Sequence, residues 1–182
     1  MIEGQAVGLR AIERADLATL LAWRNEPAFR RNFREYRELG SEQQEAWFKS
    51  SVLDDPRTRM FAIVALDGRC LLGACGLCYI DWVNRTADFS IYIGHDGLYI
   101  DERLAPDAGR TLLRYGFGEL GVHRIWCEIY DFDRAKARML DGLGFTLDGR
   151  HRETHWAEGA WHDSLFYGIL DREFWARHGR AA

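Results

Sequence analysis

No run of this 182-residue chain approaches the roughly twenty apolar residues that a bilayer-spanning helix needs, and no basic segment followed by an apolar stretch stands at its start. A membrane span and an export leader are therefore not expected, and a cytoplasmic protein is. Lysine is nearly missing: Lys49 and Lys136 stand alone among basic residues that are otherwise arginine. Neither sign of charge forms a block and the formal net charge is -4, so the electrostatic footprint of a nucleic-acid or anionic-membrane partner is lacking. Cysteine is sparse. Cys75 and Cys78 form a single C-x-x-C with no second pair to complete a zinc site, in a stretch that reads as strand, where an offset of three sends two side chains to opposite faces. Four reduced core cysteines and no metal are the expectation. Internal repeats, low-complexity tracts and linkers are absent too, which leaves one domain over residues 1–182.

What is present is a clear order of elements in the second half. Residues 87–94, ADFSIYIG, are β-branched and aromatic without a breaker, as in a strand buried on at least one face. A turn-rich loop, HDGLYIDERLAP, follows. Over residues 106–120, Leu112, Leu113, Tyr115, Phe117 and Leu120 fall on or near one helical face, with Pro106 suited to the first helical position. HRIWCEIY, 123–130, is a strand again. DRAKARMLDGLGF then sets Ala135, Met139 and Leu143 at helical spacing and closes on Gly144. This strand, helix, strand, helix order predicts two parallel strands joined by a right-handed crossover.

The remainder reads as a first strand at 7–12 and a short helix at 15–24 capped by Arg14 or Asp16. An irregular stretch at 25–40 is anchored by Phe29, Phe33 and Tyr36. A helix at 41–52 follows, with Ser41 as N-cap and Gln44 at N3. A hairpin joins 60–66 to 70–79 across Asp67-Gly68, a second joins 146–158 to 161–170, and a helix at 172–177 ends the chain. The expected class is α+β, layered α/β/α, with a mixed, mostly antiparallel twisted sheet.

Several segments in this order carry a family resemblance: VGLRAIERADLATLLAWRNEP, SEQQEAWF, FAIVALDGRCLLGACGL, ADFSIYIG, LLRYGFGELGVHRI, the LGF at 143–145 and DSLFYGILDREFW. They resemble the GNAT superfamily of acyl-CoA-dependent N-acyltransferases, and within it the RimJ/RimL-like ribosomal-protein-alanine acetyltransferases and their relatives acting on sugars and small amines. The resemblance implies a splayed parallel strand pair and acetyl-CoA as co-substrate. It also implies a small-molecule, amino-sugar or peptide amine as acceptor, and a monomer or homodimer.

It also implies an Arg or Gln, two residues, Gly, one residue, then Gly or Ala before the main helix, where bare amides meet the CoA pyrophosphate. That window falls on residues 100–105, and only Ala105 matches. Asp96, Asp101, Glu102 and Asp107 instead surround it, with Arg103 as the fixed positive charge in the loop. The usual Asn opening the later helix is Asp133, and the usual proton-donating Tyr is Leu140. On the resemblance, the cofactor is expected at Ile91, Tyr92, Ile93, Leu104, Ala105, Gly109, Arg110 and Asp133. A competing reading is a protein of this fold whose CoA binding is lost or altered and which serves as a ligand-binding or interaction module.

Direct acyl transfer needs a polarised thioester carbonyl, a proton acceptor for the amine and a proton source for the leaving thiolate. The resemblance implies that the first comes from the backbone of the strand before the cofactor loop, here the amides of Ile91, Tyr92 and Ile93. Asp88 is the first candidate base, because the resembled family often carries an acid early in this strand and a carboxylate between Ala87 and Phe89 could have its pKa raised by desolvation, and Glu128 on the next strand is the second. Tyr130, Tyr92 and Tyr99 are candidate acids by residue type. His151, Glu153 and His155, at alternating positions with His162 across the hairpin, are expected on one face, a set that would suit zinc but reads first as solvated surface or, on the resemblance, as the border of the amine groove. On the resemblance, which puts the segment of Phe33 and Tyr36 and the last hairpin at the acceptor pocket, Phe33, Tyr36, Trp82, His155 and Trp161 are the expected acceptor-site residues, with Trp82, Trp156 and Trp161 as an aromatic wall.

Overall fold

The computed structural model describes residues 1–67 and 70–179. One eight-stranded sheet runs in the order β1-β2-β3-β4-β5-β6-β8-β7. Its strands are β1 (Ile2–Glu3), β2 (Val7–Ala11), β3 (Arg59–Ala65), β4 (Leu71–Asp81), β5 (Thr86–Ile93), β6 (Arg124–Tyr130), β7 (Thr146–Ala157) and β8 (Ala160–Leu170). Every neighbouring pair is antiparallel except β5 and β6, which are parallel and joined through helix α4 (Leu104–Gly118). The hairpin turn expected at Asp67-Gly68 falls partly outside the described residues.

Strand β5 shows why the sheet is covered on both sides. Ala87, Phe89, Ile91 and Ile93 enter a core with α4, α5 (Arg134–Leu143) and α6 (Asp171–His178), while Tyr92 enters a second core with α1 (Leu17–Asn25) and α3 (Ser41–Trp47). Both faces being apolar at alternate positions gives the α/β/α layering. Helix α2 (Pro27–Arg30) interrupts the stretch expected to be irregular, and a π-helical turn, Phe48–Leu53, extends α3.

Three local expectations shift for identifiable reasons. Gly40, not Ser41, stands at the N-cap of α3, because the Gln43 side chain reaches back to the Gly40 amide at 2.7 Å. Helix α4 begins at Leu104 rather than Pro106, because Asp101 caps it from the loop ahead. Gly109, expected at the cofactor, is instead a packing glycine: a Cβ there would stand 2.7 Å from Leu143 Cδ1, so it sets the close approach of α4 and α5. Gly144 ends α5 in the left-handed conformation, φ 97°, as its position predicts.

Candidate active site

The parallel ladder between β5 and β6 consists of Thr86/Arg124, Ala87/Ile125 and Asp88/Trp126 and stops there, although β5 continues to Ile93 and β6 to Tyr130. Beyond Asp88 the strands therefore diverge and leave a gap in the middle of the sheet. The Ile93 amide does not cross it but donates to the Tyr99 carbonyl at 2.8 Å. Backbone alternation turns the Ile91 amide to that same side and the Tyr92 amide toward β4, where Tyr92 stands opposite Ala74. Of the three amides expected to serve, Ile91 is thus the one aimed into the gap.

Helix α4 points its N-terminus toward the open end of this gap. Its leading amides are already engaged: the Asp101 carboxylate accepts from Arg103, Leu104 and Ala105 at 3.0, 2.8 and 2.7 Å. Three converging N–H groups at a helix start favour an anion, and Asp101 supplies one from within the chain. Asp107 behaves otherwise. It turns away and accepts from the amides of Gln5, Ala6 and Val7, tying the β1–β2 connection to α4.

On the side of the sheet facing α1, the base of the gap holds two carboxylates. Arg34, from the segment after α2, donates from Nη1 to Asp88 Oδ2 at 2.6 Å and from Nε to Glu128 Oε2 at 2.8 Å. Its guanidinium also lies 5.5 Å from the Trp126 ring centre and 6.0 Å from that of Tyr79. Ser164 on β8 donates to the other Glu128 oxygen at 2.6 Å. Burial raises the Asp88 carboxyl above the ordinary carboxylate range, the Arg34 and Lys136 charges pull it back, and the balance leaves it raised.

Over residues 7–146 the chain matches a known family model, the acetyltransferase (GNAT) domain. The chain belongs to the GNAT acetyltransferase family. Among its relatives are the uncharacterized N-acetyltransferase p20 of Bacillus licheniformis, 26% identical over 114 residues, and the putative ribosomal N-acetyltransferase YdaF of Bacillus subtilis, 29% identical over 105 residues. Those matches span 63% of this chain and 63% of p20, and 57% of this chain and 56% of YdaF. The spermidine N(1)-acetyltransferase of Escherichia coli matches over 180 residues at 28% identity, covering 98% of this chain and 93% of that one. In fold, the chain resembles spermidine N-acetyltransferase from Vibrio cholerae, solved with CoA and spermine, at TM-score 0.83 and 24% identity over 93% of this chain and 98% of that one.

GNAT domains use acetyl-CoA, and this GNAT domain provides the two backbone features such a co-substrate needs, a strand gap and a helix N-terminus. The α4 amides fit an anion, as Asp101 demonstrates, and a pyrophosphate there requires the Asp101 side chain to swing out. The Leu104 and Ala105 amides are among those Asp101 occupies, whereas Arg110 lies a turn further along beside Asp107 at 3.8 Å. Asp133 is committed at both oxygens: Oδ1 caps α5 at the Lys136 amide, 3.0 Å, and Oδ2 accepts from the Tyr99 hydroxyl at 2.9 Å. Leu140 is fully buried in the core.

The other expected residues divide. Tyr130, at the end of β6, stacks on His155 with ring centres 3.7 Å apart; burial and then Glu128 raise its phenol, while burial and His162 lower His155. Phe33 packs edge-on to Tyr92 and Tyr99, beneath the Arg24 guanidinium. Tyr36 is largely exposed. Trp82 sits with Arg59 at the β4–β5 turn and Trp161 with Trp156 at the far hairpin, so the three tryptophans form no single wall.

The His151, Glu153, His155 alternation is broken by a bulge between His151 and His155, with Glu153 at φ 53° and its amide on Asp163. Among the described residues no cluster has the makings of a metal site. A hollow of about 620 Å³ lies past the end of β6, lined by Asp131, Phe132, Arg134, Arg150 and Leu165, beside the gap rather than in it.

The Arg34 clamp was not legible in the sequence, because nothing in residues 31–40 marks which arginine folds back onto the sheet. Ser164 was missed for the same reason.

Proposed function

We propose that this chain acetylates a primary amine of a small polycation, of the spermidine kind, by direct attack on acetyl-CoA. Acetyl-CoA supplies a thioester-activated acetyl group, and everything else is the task of the chain. The Ile91 amide, aimed into the gap, hydrogen-bonds the developing oxyanion. Asp88 takes the proton from the attacking ammonium, helped by a carboxyl already raised by burial. Glu128, held by Ser164, completes an anionic seat for the cation.

The observation that carries this reading is the Asp88–Glu128 pair at the base of the strand gap, with a cation already between them. Arg34 marks the place an alkylammonium takes when it displaces the guanidinium, and the Trp126 and Tyr79 rings beside it suit a cation's methylene chain. The full-length similarity to a spermidine acetyltransferase supports the same acceptor class. No cysteine offers a nucleophile: burial lifts the Cys127 thiol, the one nearest the gap, to about 11.

The test is thiol release from acetyl-CoA with spermidine, an amino sugar and an N-terminal alanine peptide as acceptors, with product masses. Acetylated spermidine at the highest kcat/KM is expected. Preference for the peptide would overturn the polyamine reading and move the chain toward the ribosomal-protein acetyltransferases.

A further inference from the structure

Lysine occurs twice in this chain, and one of the two, Lys136, is buried with 8% exposure. It is the third residue of α5, so Leu140 lies one turn further along the same helical face. Among the described residues its ammonium pairs with no carboxylate, and no side-chain nitrogen or oxygen is both sealed from solvent and without a partner. Lys136 Nζ therefore opens onto accessible space while its stem lies in the core. The start of α5 stands at the edge of the gap: Asp133 accepts from the Lys136 amide at 3.0 Å and from the Tyr99 hydroxyl at 2.9 Å, and the Tyr99 carbonyl takes the Ile93 amide at 2.8 Å. Burial raises the Asp88 carboxyl on β5 and the Cys127 thiol on β6, and the Lys136 charge works against burial at both.

The two faces of the sheet then hold opposite equipment. Asp88 and Glu128 lie on the α1 side, and α5, which carries Lys136, packs on the other. Resting on the proposed acetyl transfer, we propose that Lys136 is the proton donor to the departing thiolate, the task for which Leu140 has no group. The ammonium first gives one proton to Asp88, which passes it to solvent; the freed amine nitrogen then bonds the acetyl carbon, its second proton goes to Asp88, and the C–S bond breaks. The electron pair left on sulfur takes a proton from Lys136 Nζ. Solvent then restores the proton to Lys136 and removes the one on Asp88. The alternative donors are spoken for: the Tyr99 hydroxyl is given to Asp133, and Tyr130 stands on the Glu128 side of the sheet, stacked on His155.

The experiment compares wild type with Lys136→Met and Lys136→Arg in two readouts: kcat at saturating acetyl-CoA, and the pKa of bound CoA thiol followed by ultraviolet thiolate absorbance. Lys136→Met is expected to lower kcat by on the order of a hundredfold with KM for the amine little changed. It is also expected to raise the bound thiol's pKa by roughly one to three units, the span for losing a nearby opposite charge. Lys136→Arg keeps the charge but is a poor proton donor, so the thiol pKa stays low while kcat still falls. A Lys136→Met variant with normal kcat and an unchanged thiol pKa overturns the assignment while leaving acetyl transfer intact. If Lys136→Met does not fold, Lys136→Arg with normal kcat overturns it. Wild type that binds no CoA overturns both readings.

Discussion

Replacing Asp101 by alanine tests how the helix N-terminus trades an internal anion for an external one. In the free chain three amides hold the carboxylate at 2.7 to 3.0 Å, and a capping carboxylate of this kind contributes about 1 kcal/mol. CoA binding must give that up. It must also place a diphosphate near a negative side chain, which adds about 1 kcal/mol at a solvent-exposed separation near 4 Å. Removing both costs amounts to about 2 kcal/mol, or roughly thirtyfold tighter binding at low salt. Raising the salt screens the second part and leaves about fivefold.

The same substitution should lower the melting temperature of the free protein by about 2 to 4 °C, since the cap is lost. Calorimetric titration with CoA at two ionic strengths measures this, with pantetheine, which lacks the diphosphate, as the control that should not change. Unchanged or weaker CoA affinity in Asp101→Ala would refute the reasoning, because the amides would then not be the phosphate seat.

Asp107→Asn should leave CoA affinity unchanged and cost about 1 to 3 kcal/mol of stability, because the carboxylate serves three backbone amides of the β1–β2 connection; tighter CoA binding would show that it faces the phosphates after all. Asp88→Asn should reduce turnover by on the order of a hundredfold while acetyl-CoA affinity is retained, and normal turnover would move the base to Glu128. Because the folded Asp88 carboxyl lies above the unfolded value of about 3.9, its contribution to stability is present in acid and lost as pH rises through the folded pKa. The melting-temperature advantage of wild type over Asp88→Asn should accordingly shrink as pH climbs from about 4, and a widening gap contradicts it. Arg34→Met should lower KM for the amine by freeing the carboxylate pair and shift the acid limb of kcat/KM to higher pH, since Arg34 holds the Asp88 carboxyl down; an unmoved limb would separate Asp88 from the chemistry.

Much of the scaffold was legible because periodicity writes it locally. The parallel β5–β6 pair, the α4 crossover, the Gly144 helix end and the closing hairpin follow from alternation and turn chemistry read over a few residues each. Asp88 and Glu128 drew notice as carboxylates on apolar strands, Asp88 also through the family resemblance, and the structure brings the two together at Arg34. What escaped depends on contacts between distant residues. Arg34 meets Asp88 across 54 positions and Glu128 across 94, and Asp107 finds Gln5 across 102, distances over which composition carries no signal. Acid count alone also misread the loop: Asp101 and Asp107 carry equal charge, yet one caps α4 and the other faces β2. The His151 to His155 face failed because a bulge resets alternation and has no fixed sequence mark.

Hydrogen exchange with and without acetyl-CoA, resolved to short peptides, tests the central claim that the β5–β6 gap and the α4 N-terminus together seat the acetyl donor. Slower exchange confined to peptides covering Phe89–Ile93 and Asp101–Ala105, with Arg34-containing peptides unchanged until spermidine is added, is the result this account predicts. Protection appearing elsewhere, as at the β7–β8 hairpin, with exchange in those two segments unaltered, would contradict it.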